Sequence, residues 1–124
     1  MRDTVLVGLG GMVGSIARFW LSVLLQRLVG SAFPVGTVTV NVLGSFALGV
    51  VLALTLHRGE ATHPMRALLG VGFCGGFTTM STFSYETVAL WREGQMAFAT
   101  GNVLLTLAAC VLAVWLGLVV GRSG

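Results

Sequence analysis

The chain has 124 residues, 56% of them hydrophobic and 9% charged, against about 25% charged in soluble domains. Its net charge of +3 rests on seven scattered arginines, which give no basic patch for a nucleic acid. With 18 glycines and two prolines this composition describes a polytopic membrane protein, and at about 20 residues per crossing the length accommodates four helices and no separate soluble domain.

The expected fold is all-α: a single integral membrane domain over residues 1–124, with spans at 4–28, 35–56, 64–91 and 96–120. The first apolar run continues past the length of a signal-peptide core and lacks a small-residue cleavage site, so no signal peptide is expected. Gly8, Gly10, Gly11 and Gly14 brush against a dinucleotide fingerprint, but Val13 stands where the third glycine belongs, and no βαβ context surrounds it. Gly10 and Gly14 instead make a small-xxx-small pair suited to close helix approach. Arg18 interrupts the span beside Phe19 and Trp20. An intramembrane arginine is costly and points to function, here a cation that gathers anions at an entrance; the plainer alternative is snorkelling to the interface.

Gly30 to Gly36 forms a turn, with Phe33-Pro34 breaking the helix. In the second span Thr37, Asn41 and Ser45 recur every four residues, giving one polar stripe on an apolar helix. Asn41 offers two N–H donors and one acceptor, or else a plain helix–helix hydrogen bond. The stretch from His57 to Arg66 reads as a solvated connector, because two histidines without further ligands do not make a zinc site. The fourth span carries its own stripe, Asn102, Thr106 and Cys110, and a small-residue seam of Ala109, Ala113 and Gly117. Cys74 and Cys110 both fall in apolar spans and read as small hydrophobes rather than a disulfide.

The third span is the unusual one. Gly75-Gly76 is expected to loosen the helix, since glycine is a poor helix former. Six hydroxyl residues then follow within ten positions: Thr78, Thr79, Ser81, Thr82, Ser84 and Thr87. Broken backbone at membrane depth is tolerated only in protein or against a cavity, so the segment is expected to face a polar path or an ion; the alternative is a helix-packing seam. Hydroxyls and amides without carboxylates suit an anion, and the electropositive ring edge of Phe83 adds to that. A cation path more often carries acidic rings, and only Glu86, near the span's end, could contribute to one; it reads equally as an interfacial carboxylate near Arg92. No nucleophile–base pair or metal-ligand spacing is present, so no enzyme is expected.

For four spans, one side holds Arg2, Arg58, Arg66 and Arg122, and the other holds Arg27 and Arg92, with Arg18 if it lies near that end. So slight a bias does not fix orientation, and the chain is expected to insert both ways.

Three stretches then carry a family resemblance: Gly72 to Glu86 (GFCGGFTTMSTFSYE), Gly10 to Arg18 (GGMVGSIAR) and Gly36 to Phe46 (GTVTVNVLGSF). They resemble the Fluc (CrcB) fluoride-channel family; the fourth span is similar only in length and character. The resemblance implies an antiparallel homodimer of four-helix subunits in the lipid bilayer of the cell membrane, with two fluoride pores. It implies one structural Na⁺ at the dimer centre, on the main-chain carbonyls of Gly75 and Thr78. It implies that Asn41, Phe83, Ser81, Thr82 and Ser84 line or support the pores, with Arg18 by a vestibule and Glu86 at a pore end. The family's aromatic run usually begins with phenylalanine, and this chain has Met80 there. Met80, Phe83 and Ser84 share a helical face, so Met80 is expected to line the path as a weak C–H donor through its thioether methyl. The competing expectation is a small multidrug-resistance-type transporter, also four-helix and of dual topology. It needs a carboxylate in the first span, where this chain has Arg18. A non-transporting assembly subunit leaves the hydroxyl-rich break unexplained.

Overall fold

The computed structural model describes residues 1–56, 58 and 62–123, and its regular elements are all helical. They are α1 (Arg2–Val29), α2 (Val35–Thr55), a short α3 (His63–Met65), a π-helical segment (Arg66–Cys74), α4 (Gly75–Phe77), α5 (Met80–Arg92) and α6 (Met96–Ser123). Among the described residues, α1, α2 and α6 are each long and apolar enough to cross a membrane. With 21 residues, α2 is the shortest of them; at 1.5 Å per residue it spans about 32 Å, enough for a hydrocarbon core of about 30 Å. Phe19, Trp20, Trp91 and Trp115 are exposed, as suits an exterior that meets lipid.

Glycine sets how closely the helices approach. On α1, a Cβ at Gly10 would strike the Leu68 carbonyl, and one at Gly14 would strike the Phe73 carbonyl. Further along, Arg18 reaches Gly76. These pairs rise together in number, so α1 runs parallel to the segment that contains the break. The expected small-xxx-small pair thus serves a single partner. On the other side, Gly49 of α2 abuts the Val114 carbonyl, and Gly117 of α6 abuts the Phe46 carbonyl. Ala113 and Gly117 of the expected seam are buried there.

The turn between α1 and α2 is tied by one side chain that sequence reading passed over. Gln26 Nε2 donates to the carbonyls of Ser31 and Phe33 at 2.7 and 3.0 Å, and its Oε1 accepts the Gly36 N–H at 3.0 Å. Gly30 closes α1 with φ 65, a left-handed conformation that glycine adopts without steric cost.

The second half of the expected solvated connector is also tied down. His57, Gly59, Glu60 and Ala61 lie outside the described residues. His63, however, contacts Asp3 Oδ2 at 2.8 Å through Nε2, and Arg66 donates to the Thr55 carbonyl at 3.3 Å through Nη2. The start of the third segment is therefore fastened to the ends of α1 and α2, where the Asp3 carboxylate and the Thr55 carbonyl, which also takes the Thr62 hydroxyl, accept from it.

Candidate functional site

Between α4 and α5 the helix is interrupted at Thr78 and Thr79, both extended, with ψ of 159 and 125. The expectation that the helix would give way at Gly75-Gly76 is corrected. Both glycines are helical, and Gly76 is small because α1 passes close by: a Cβ there would lie 2.6 Å from the Gly11 carbonyl oxygen. The break falls three residues later because side chains there can take over the backbone groups. Asn41 Nδ2 donates to the Thr79 carbonyl at 3.1 Å, and Asn41 Oδ1 accepts the Thr79 N–H at 2.7 Å. Thr79 in turn caps α5, its Oγ1 accepting the Thr82 N–H at 3.2 Å, the usual N-cap role of a threonine. Asn41 is 6% exposed, so this pair of hydrogen bonds is held away from solvent. One N–H of its amide is left over from the clamp.

Beside the clamp lies a cavity of about 230 Å³ walled by Asn41, Ser45, Thr79, Met80, Phe83 and Thr106, with Thr78, Leu107, Cys110 and Val111 completing it. None of these residues is acidic. The cavity brings together Asn41, Met80 and Phe83 as expected, with Phe83 buried and Met80 at the rim, 67% exposed. It leaves out Ser81, Thr82 and Ser84. Ser84 Oγ donates back to the Met80 carbonyl at 2.9 Å, and Ser81 Oγ sits 3.4 Å from Thr79 Oγ1. Sequence reading noticed Thr106 and Cys110 as a stripe but gave them no place on the path; their four-residue spacing was the available signal.

Arg18 and Glu86 stand apart from this cavity. Arg18 Nε donates to the Gly76 carbonyl at 2.9 Å, so its charge lies against the C-terminal end of α4, where a cation is favourable. Glu86 lines a second cavity with Gln26, Pro34 and Glu93, also about 230 Å³. Its carboxyl lies beside the Thr37 side chain, and Oε1 is buried without a hydrogen-bond partner among the described residues. The polar stripe of α2 thus serves two places: Asn41 and Ser45 at the break, Thr37 at Glu86.

The carbonyls of Gly75 and Thr78 fit a hard cation. In a continuous helix they would accept the N–H groups of Thr79 and Thr82, but those go to Asn41 and to Thr79 Oγ1. Both residues line a third, open cavity of about 340 Å³ with Gly44, Ser45 and Arg66. Nearby carbonyls are taken: Cys74 by the Thr78 N–H and Gly76 by Arg18.

Apolar membrane-length helices packed around a broken one, with a cavity at the break that sets amide and hydroxyl groups among apolar side chains and has no carboxylate in its wall, define a small multi-pass membrane protein built to pass or bind a polar species. Residues 5–118 match the family described as CrcB-like protein, Camphor Resistance (CrcB). Among curated proteins, the chain is 45% identical over 120 residues to the "Fluoride-specific ion channel FluC" of Shewanella baltica (strain OS185), covering 94% of each chain. It is 37% identical over 123 residues to the protein of that name from Geotalea uraniireducens (strain Rf4), covering 99% of each. The chain belongs to the CrcB family.

Proposed function

We propose that the protein is a fluoride-selective channel, not an enzyme, through which cytoplasmic fluoride leaves the cell passively. The observation that carries this reading is the cavity at the break, where the Asn41 amide, the Thr79 and Thr106 hydroxyls and the buried ring of Phe83 converge without a carboxylate; the naming of the relatives supports fluoride as the ion. Fluoride holds its water tightly, so a path for it must offer close, fixed donors in exchange, and a rigidly clamped break provides them. Hydrogen fluoride crosses membranes as the neutral acid and dissociates inside, so a selective leak for the trapped anion lowers its toxicity. Ser81, Thr82 and Ser84 support the path from the first turns of α5, Arg18 stands by a vestibule, and Glu86 marks a pore end. Liposomes containing the purified protein are expected to release fluoride quickly, read by a fluoride electrode, and chloride hardly at all. Equal release of both ions, or of neither, ends the reading.

The working unit in this proposal is an antiparallel homodimer, in which the broken segment makes the third of four crossings in each subunit. The weak arginine bias supports insertion in both directions. In a sample active in efflux, with Cys74 and Cys110 replaced, a cysteine introduced at Arg58 is expected to label from both sides of the membrane. Labelling from one side alone refutes dual topology.

Two such breaks meeting on the dimer axis would surround one structural Na⁺ with the carbonyls of Gly75 and Thr78 from both chains. Broken-helix carbonyls are known Na⁺ ligands. Exchanging Na⁺ for N-methylglucamine is expected to lower the thermal midpoint of the purified protein, and re-addition of Na⁺ to restore it. A midpoint indifferent to Na⁺ sinks the site while leaving the anion path standing.

A further inference from the structure

The α6 stripe is not used by the clamp, and its hydrogen bonds have a direction. Thr87 Oγ1 donates to the Phe83 carbonyl at 2.8 Å. Its only proton is committed, so towards Asn102 it can only accept. Asn102 Nδ2 donates to it at 2.9 Å, and this fixes the amide: Oδ1 faces the other way, towards Thr106. Thr106 Oγ1 donates to that oxygen at 3.2 Å, long for a hydroxyl donor, whose usual distance is about 2.7–2.8 Å. Asn102 is fully buried, with 0% exposed. Of Thr87, Asn102 and Thr106, only Thr106 lines the cavity at the break. With its proton turned back to Asn102, the Thr106 hydroxyl offers the cavity lone pairs, which repel an anion.

We propose that Asn102 is a positioning residue that acts as a placeholder acceptor, holding the Thr106 proton while the cavity is empty and releasing it to the anion when one arrives. The inference rests on the channel reading above. Rotation about the Thr106 Cβ–Oγ bond swings the proton from Asn102 Oδ1 to the anion, and no proton is transferred. When the anion moves on, the hydroxyl turns back. Each passage exchanges one hydrogen bond for another, so the empty cavity holds no orphaned buried donor. Conduction needs a site that binds well enough to enter and weakly enough to leave. Asn102 meets the second condition, because the long Thr106 bond waits as the alternative.

The test is fluoride efflux from liposomes as a function of fluoride concentration. Asn102→Leu removes the placeholder, so Thr106 has only the anion to satisfy it. Half-saturating fluoride and maximal flux are both expected to fall, each by about tenfold. A merely structural lesion lowers flux without tightening the anion. Thr106→Val should raise half-saturating fluoride, and Thr106→Ser, which keeps the hydroxyl, should restore the parent value. Asn102→Leu strands Thr87 beside an apolar group and can impair folding. The paired variant Asn102→Leu with Thr87→Val removes both partners at similar volume and should show the same lowered half-saturation. If half-saturation in the paired variant is unchanged or raised, or if Thr106→Val behaves like the parent, the placeholder role is overturned and the channel reading stands. A parent protein that releases no fluoride overturns both.

Discussion

Asn41→Leu is expected to abolish fluoride efflux and to lower the thermal midpoint of the purified protein. The side chain holds the N–H and the carbonyl of Thr79 at 2.7 and 3.1 Å. Leucine has similar bulk but satisfies neither group. A buried backbone group left unpaired costs about 1–3 kcal/mol, so both costs fall on one residue at the break, one on each of its two peptide units. The break would then re-form as helix or take up water, and the cavity wall built from Thr79 would move. We expect efflux to fall by about 100-fold or more, since two lost bonds of that size are involved. Asn41→Asp separates the clamp from volume: it keeps the acceptor for the Thr79 N–H, sets a lone pair against the Thr79 carbonyl, and brings negative charge to the cavity. It is expected to lose efflux as well. Efflux within about twofold of the parent in Asn41→Leu, with an unshifted midpoint, would show that the bonds to Thr79 hold nothing in place.

Phe83→Ile is expected to cut efflux by about tenfold or more while the protein remains folded, because isoleucine fills the space without the electropositive ring edge. Phe83 is 8% exposed and lines the cavity. Met80→Phe is expected to keep efflux, since a ring at the exposed rim adds an edge without displacing packed neighbours, and Met80→Ala to lower it only modestly. Met80→Ala and Phe83→Ile that both conduct like the parent would confine the anion to the Asn41 and Thr106 side of the cavity. Efflux by the fluoride electrode, with size-exclusion behaviour as the check on folding, decides between these outcomes.

Much of this arrangement was legible from residues close together in the chain. The crossings α1, α2 and α6 announce themselves by apolar length. Gly10 and Gly14 read correctly as a close-packing pair, and the α2 and α6 stripes read correctly as polar faces. What the sequence hid is long-range. Glycine propensity drew attention to Gly75-Gly76, but the position of the break was decided by Asn41, 38 residues from Thr79, and by the Thr79 cap on Thr82. The cap has a local signature, since threonine is a favoured N-cap residue, and it was the better guide. Arg18 read as a charge awaiting an anion, whereas its nearest bond is to a carbonyl 58 residues away. Ser81, Thr82 and Ser84 were grouped with the path because they are polar and adjacent. Ser84 Oγ bonds back to the Met80 carbonyl and Ser81 Oγ lies against Thr79 Oγ1, so polarity alone does not say which way a hydroxyl turns. Nor does hydropathy distinguish a π-helix from an α-helix, so the segment Arg66–Cys74 gave no sign of itself.

The interruption at Thr78 and Thr79 also bears on how the chain enters a bilayer. The segment from His63 to Arg92 offers an inserting machinery no single long apolar rod, only short pieces and an extended pair of hydroxyl residues. On its own it partitions poorly from water into lipid, since the backbone groups at the break need partners that lipid cannot supply. Those partners are Asn41 on α2 and, for Gly76, Arg18 on α1, and both are synthesised first. The first two helices therefore serve as an intramolecular chaperone for the third segment: by the time the break emerges, the groups that satisfy it are already in the membrane.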